Sequence, residues 1–384
     1  MSRFRTDLLP FQVVLFTASA AVAGIVTLLG ELRDVLGFSE TQIGVVVTTG
    51  FVGSFIAQVG LSRFADRGHA RLMVTIGVAL AALALLGMAF AEGLWSWILL
   101  RGLVGFSTGM IVPGIRRAAA VHEPDRVGEN LGRLVVGDMS GFLLGPVAAG
   151  LIERSFGFRT PFLVLTVMLL LFLPFAARLP ADRGALDTSG RRSAFDLLQI
   201  RRLQGALLLV LGYFALIGAW ESVMPVMFAD LGGTPLVTGL AFTFFGVPMI
   251  ILSPWAGRLA DRVGPPRVAI GALVIIAIGT MSYGFIGSIV LLISIQALLG
   301  IADAFGFTAT QVAVSRAVPQ ERQAAALGLM GGVQVLGAGL FALPSAAVYQ
   351  ATDGRVTWVF VGGVMLAVVT IGAARLRGTS PIIG

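Results

Sequence analysis

Long apolar stretches broken by short polar ones recur from one end of the chain to the other. A bilayer's hydrocarbon core is about 30 Å thick and an α-helix rises about 1.5 Å per residue, so one crossing takes roughly 20 mostly apolar residues. Stretches of that length begin near Gln12, Gln42, Leu72, Leu94, Arg126, Pro161, Gln204, Leu236, Val268, Ile289, Gln323 and Val356. They predict twelve membrane-spanning helices and leave almost no chain for a soluble domain. Membrane barrel strands would alternate apolar with polar residues, whereas residues 163–177 are apolar at nearly every position, so the spans read as helices.

Composition agrees with the pattern: of 384 residues, 57% are hydrophobic and 12% charged, with a mean hydropathy of +0.92. Charge adds an orientation. All 27 basic residues are arginine, and the net charge is +7. With the N-terminus inside, Arg3/Arg5, Arg63/Arg67/Arg71, Arg116/Arg117/Arg126, the arginines of 178–202, Arg258/Arg262/Arg267, Arg316/Arg322 and Arg375/Arg377 all fall on one side. The other side carries only Arg33, Arg154, Arg159 and Arg355. The arginine-rich side is cytoplasmic by the positive-inside rule, which puts both termini in the cytoplasm; arginine in place of every lysine points to a GC-rich bacterial genome, and a bacterial inner membrane is the expected location. Spread over loops in this way, the basic charge serves the lipid bilayer and predicts no nucleic-acid partner.

The chain has no cysteine and two histidines, His69 and His122, both in predicted loops. Disulfides and thiolate metal sites are excluded, and no metal or cofactor is expected. Nothing resembles a nucleophile dyad or a glycine-rich phosphate loop, so an enzyme or an ATP-driven pump is not expected.

A shift of 195 positions superimposes Gly37 on Gly232, Gly44 on Gly239, and Arg63, Ala65, Asp66 and Arg67 on Arg258, Ala260, Asp261 and Arg262. It also carries Arg101 to Gln296, Gly105 to Gly300 and Pro124 to Pro319. The chain is therefore an internal duplication. We divide it into a six-helix half over 1–178, a polar, arginine-rich linker over 179–203 and a second six-helix half over 204–384.

After the second span the chain reads Ser62-Arg63-Phe64-Ala65-Asp66-Arg67-Gly68-His69-Ala70-Arg71, and after the eighth Gly257-Arg258-Leu259-Ala260-Asp261-Arg262-Val263-Gly264-Pro265-Pro266-Arg267. Both resemble the cytoplasmic loop signature GxLADRxGRR of the major facilitator superfamily; the first copy departs from it with Ser62 and His69 at glycine positions. Arg101-Gly102-Leu103-Val104-Gly105 in span four resembles the RxxxG element of proton-coupled drug exporters. In span five, the run from Gly137 through Gly141, Gly145 and Pro146 to Gly150 resembles their GxxxGxxxGPxxGG motif, with Ala149 departing from it. The end of span one carries Gly30-Glu31 where fourteen-span drug exporters have an Asp followed by an AlaLeuPro-type end, in keeping with twelve spans.

The resemblance implies a major facilitator fold with a central cavity lined by spans one, four, seven and ten. It implies a gate latch at Arg63, Asp66, Arg67, Arg71, Arg258, Asp261, Arg262 and Arg267; simple arginine anchoring would account for the same residues. An intramembrane charge is costly without a cavity or partner, and the spans that the resemblance turns toward lipid have none at their centres. Arg101, Glu221 and Asp303 lie in spans four, seven and ten; Asp138 lies in span five and Glu31 near the outer end of span one. These five are proton-coupling candidates, Asp303 and Glu221 foremost; static ion pairing is the alternative for each.

Gln296, Gly300, Asp303 and Phe307 share one helix face, and Tyr213, Ile217, Glu221 and Met224 another. With Phe106, Met110 and Trp220 they give the substrate-contact candidates Phe106, Met110, Tyr213, Trp220, Met224, Gln296 and Phe307; packing toward lipid is the alternative. Gly137, Gly141, Gly145, Pro146 and Gly150 are expected to let another helix approach closely. The expected protein is a monomer that takes a small lipophilic or amphipathic substrate and exchanges it for protons. Export of a sugar, amino acid or other metabolite, import, and a sensor that has lost transport stay open.

Overall fold

The computed structural model describes residues 9–122, 127–179, 194–319 and 322–377, without the side chains of residues 62, 63, 65, 66, 119–122, 127–132, 194, 195 and 324. The helices in chain order are α1 (Leu9–Thr27), α2 (Glu31–Leu36), α3 (Glu40–Phe64), α4 (Ala70–Phe90), α5 (Leu94–His122), α6 (Val127–Phe156) and α7 (Thr160–Ala177), then α8 (Arg201–Asp230), α9 (Pro235–Val263), α10 (Pro265–Met281), α11 (Ile289–Ser315), α12 (Gln323–Ala351) and α13 (Gly354–Leu376). All but α2 are long and apolar enough to cross a membrane, giving the twelve spans, and no strand occurs among the described residues. From the second span onward, span number is helix number less one.

Four short elements were not legible as spans, among them a 3₁₀ turn (Tyr283–Phe285) after α10. The helix α2 turns the chain after the first crossing, a π-helical turn (Ala65–His69) joins α3 to α4, and a 3₁₀ turn (Ala194–Gln199) precedes α8. The last begins inside the expected linker, and α8 starts there too, at Arg201; residues 180–193 of that linker lie outside the described residues.

Starts and stops follow local rules. Prolines occupy the first turns of α7 and α10, where a missing amide hydrogen costs nothing. Asp353 caps α13 by accepting a hydrogen bond from the Val356 amide at 2.9 Å. Gly37 and Gly232, related by the duplication, take the same left-handed turn at φ 71° and 80°.

The chain forms two compact units, residues 1–38, 45–189 and 233–240 in one and 39–44, 190–232 and 241–384 in the other. Within the first, α1 packs on α6 and α7, and α4 on α5 and α7. Within the second, α8 packs on α12 and α13, and α10 on α11 and α13. These are the same four pairings under the 195-residue shift, so the duplication read from loop motifs is also a duplication of packing.

The glycine face of α6 is what brings α1 so close. A Cβ on Gly141 would lie 2.1 Å from the Phe16 carbonyl oxygen, and one on Gly145 2.4 Å from that of Ala20. Gly137 approaches Gln12 in the same way, and the Gln12 amide donates to the Arg133 carbonyl at 2.9 Å. Gly150 lies on another face: its Cβ would meet Leu236 in the first turn of α9 at 2.5 Å, while Gly239 rests on the Pro146 carbonyl. The motif thus serves two helix contacts rather than one.

Candidate transport site

In the second unit, α8 and α11 carry the buried polar groups. Asp303 is fully buried, and neither of its oxygens has a hydrogen bond of good geometry. The Tyr213 hydroxyl faces it from α8, and its charge also reaches Tyr283 in the 3₁₀ turn (Tyr283–Phe285) after α10. One turn along α11, the Phe307 ring lies 5.7 Å from Tyr213 and 6.3 Å from Phe214. A cavity of about 10 Å³ opens beside Tyr213 and Phe307 toward Thr310, Gln311, Met330 and Gln334, about the size that holds one water. Tyr213, read from the sequence on a different helix face, therefore joins Asp303 and Phe307 in one cluster.

Gln296 lies two turns before Asp303 on α11, also fully buried, with neither amide atom hydrogen bonded. An unmet buried amide costs about 1–3 kcal/mol. Glu221 is buried in α8. Beside it, Trp220 stacks on Phe242 at 4.1 Å and Phe245 at 5.1 Å. Tyr213, Trp220 and Met224 are at most 5% exposed, so they belong to the packed interior here rather than to an open lining.

The first unit is built differently. Arg101 is buried in α5, its guanidinium lying against Gly50 of α3. Met110, a substrate-contact candidate, packs with Ala57 and Met73, and Phe106 covers that cluster. The Asp138 carboxylate on α6 accepts a hydrogen bond from the Ser19 hydroxyl of α1, and the Arg116 charge from α5 acts on it. Glu31 sits half-buried in the first turn of α2; burial raises its carboxyl above the usual glutamate range, and Glu153 and Asp34 add to that shift.

At the loop motifs, Arg316 at the end of α11 pairs with Asp261 at 2.5 Å. Both side chains are about half exposed, and Arg258, Arg262 and Arg267 are exposed around them. Arg67 and Arg71 of the first copy are exposed as well; the side chains of Arg63 and Asp66 lie outside the described residues. The two copies turn at different residues. Gly264 takes φ 103° in the second, whereas His69 stands at its counterpart and Gly68, one residue earlier, takes φ 92°. The π-helical turn absorbs the displaced glycine.

Sequence reasoning missed Gly50, Ser19, Tyr283 and the Asp196–Arg322 pair, whose guanidinium donates to both carboxylate oxygens at 2.7 and 3.2 Å. That pair ties the 3₁₀ turn before α8 to the start of α12, over an apolar cluster containing Leu197, Leu203, Val314 and Met330. Only Gly50 had a signal available: the duplication sets it against Phe245, in step with Arg101 against Gln296.

Twelve apolar helices in two duplicated halves define a polytopic membrane protein, with buried charges inside its helices. A sequence model of the Major Facilitator Superfamily matches residues 13–229 and again 209–382, and the chain belongs to that family; it is a transporter of small molecules rather than an enzyme. Multidrug resistance protein MdtG of Citrobacter koseri is 29% identical over 290 residues, covering 71% of this chain and 70% of the relative. MdtG of Escherichia coli is 26% identical over 287 residues, with 71% and 70% covered. Among solved structures, a D-xylose-proton symporter superposes with a TM-score of 0.79 at 16% identity, covering 99% of this chain and 98% of that one. The nucleoside transporter NupG does so with a TM-score of 0.75 at 14% identity over 97% and 100%. At such identities these two speak for the fold alone.

Proposed function

We propose that the chain exports small lipophilic or amphipathic compounds in exchange for protons, by alternating access, from a bacterial inner membrane with both termini in the cytoplasm. The observation that carries this reading is Asp303, a carboxylate sealed inside a membrane helix without a fixed cation or a well-formed hydrogen bond. Charge inside a low-dielectric span is costly, so such a carboxylate is suited to bind a proton there and to release it when the site opens to water. Tyr213 then acts as the hydroxyl that holds whichever form is present, and Gln296 and Phe307 are placed to meet substrate on the same helix face. Glu221 and Arg101 are the companion charges on α8 and α5; Asp138 accepts a hydrogen bond from Ser19 that suits helix packing at least as well, and Glu31 stands outside the spans beside Glu153 and Asp34. The multidrug resistance names of the relatives support the substrate class and the outward direction.

The test is uptake of a fluorescent lipophilic cation into everted vesicles under an inside-acidic gradient. Wild type accumulates the dye and Asp303→Asn does not, while Asp303→Asn still exchanges dye down its own gradient. If wild type shows no accumulation with any lipophilic cation, the substrate class is wrong. Equal accumulation by both proteins moves proton coupling away from Asp303.

A further inference from the structure

Arg101 is 3% exposed, and its guanidinium lies directly on the backbone of α3 at Gly50. A Cβ at residue 50 would stand 2.8 Å from Cζ, 2.9 Å from Nη1 and 3.1 Å from Nε of Arg101. Even alanine would push the guanidinium away. Around this point the two helices meet backbone to backbone. A Cβ on Gly105 would lie 1.8 Å from the Gly50 carbonyl oxygen, and one on Gly53 2.2 Å from that of Gly102. The α3–α5 crossing is thus a direct backbone contact around residue 50, and the atoms that a side chain at residue 50 would meet first are those of the Arg101 guanidinium.

The second unit supplies an internal control. Its α9–α11 crossing keeps the close approach, because a Cβ on Gly300 would lie 2.4 Å from the Phe245 carbonyl oxygen. Phe245, however, stands where Gly50 stands in the first unit, and Gln296 stands where Arg101 does. The Phe245 ring stacks on Trp220 at 5.1 Å, so a full side chain is accommodated at this position of the second unit. Helix approach alone therefore does not require glycine at residue 50; the arginine does.

We propose that Gly50 is a positioning residue for Arg101, its missing side chain forming the seat that holds the guanidinium in one place against α3. The inference rests on the reading of Arg101 as part of the proton-linked machinery. It places Gly50 among the transport residues through Arg101, without contact to substrate or proton.

The test is a double-mutant cycle between Gly50→Ala and Arg101→Ala, read as gradient-driven dye uptake against pH and as melting temperature of the purified proteins. Gly50→Ala is expected to lower uptake about tenfold and to move the pH profile in the direction that Arg101→Ala moves it. In the Arg101→Ala background the same substitution is expected to change uptake less than about twofold. Equal losses in both backgrounds would overturn the proposal and leave Gly50 as packing only. Should Arg101→Ala transport like wild type, the role of Arg101 is lost but the seat is still tested. Gly50→Ala must then lower the melting temperature more with Arg101 present than without it, and an equal drop in both overturns the seat. A Gly50→Ala protein that folds only in the Arg101→Ala background would support it.

Discussion

On α5 of the first unit a buried arginine rests on a glycine; on α11 of the second the corresponding place holds Gln296 against Phe245, and the buried charge is Asp303, two turns further on. The counterpart of Asp303 in the first unit is Thr108, whose hydroxyl turns back to the Gly105 carbonyl at 2.8 Å and satisfies itself on its own helix. Asp138 and Ser19 tell the same story in reverse: their counterparts, Val333 and Phe214, pack on an apolar cluster. What the two units share is the set of crossings, kept by Gly105 and Gly300 among others. What they do not share is the chemistry laid over those crossings. A duplicated helix bundle can therefore carry different chemistry on one set of crossings, with a buried arginine on α5 and a buried carboxylate on α11.

The largest break in that contrast comes from neutralising the carboxylate. Asp303→Asn is expected to bring gradient-driven uptake down to the level of empty vesicles, whereas Thr108→Val, at the matching place in the first unit, keeps most of it. Arg101→Ala is expected to lower uptake roughly tenfold, about 1.4 kcal/mol in activation free energy, with Gln296→Ala losing less in the same dye assay.

Packing sharpens the comparison next. Gly141→Ala forces a methyl into the Phe16 backbone and is expected to cost about 1–3 kcal/mol, seen as a lower melting temperature in detergent. Its counterpart Leu336 is 41% exposed, so Leu336→Ala is expected to lower that temperature less than Gly141→Ala does. Arg316→Ala removes an ion pair that is about half exposed on each side and should cost no more than about 1 kcal/mol of stability.

The smallest effect concerns Glu31. Its carboxyl is raised by burial and by Glu153 and Asp34, so the folded state disfavours the ionised form, and stability is lost as pH rises through the folded-state value. Glu31→Gln is therefore expected to raise the melting temperature at neutral pH and to have no such effect below the ordinary glutamate range.

The loop motifs show where sequence reading stopped. They marked two copies of one loop signature, and in the second copy Asp261 pairs with Arg316. They could not say that Gly68 would replace the glycine missing at His69, because that depends on a π-helical turn inserted between α3 and α4. Gly150 was read with Gly137, Gly141 and Gly145, but five residues from Gly145 instead of four turns it onto another helix. Tyr213, Asp303 and Phe307 were each legible as face residues; their meeting was not, because Tyr213 and Asp303 are 90 positions apart.

The sequence by itself determined the twelve spans, their expected sidedness and the duplication. Each depends on quantities local in the chain: about 20 apolar residues per crossing, arginine in the flanking loops, and motifs at a fixed shift. The tertiary structure alone decided which charge is seated, which is sealed and which hydroxyl faces it. Those outcomes hang on how closely two helices approach, and that distance is set wherever a glycine in one meets the backbone of another far away in sequence.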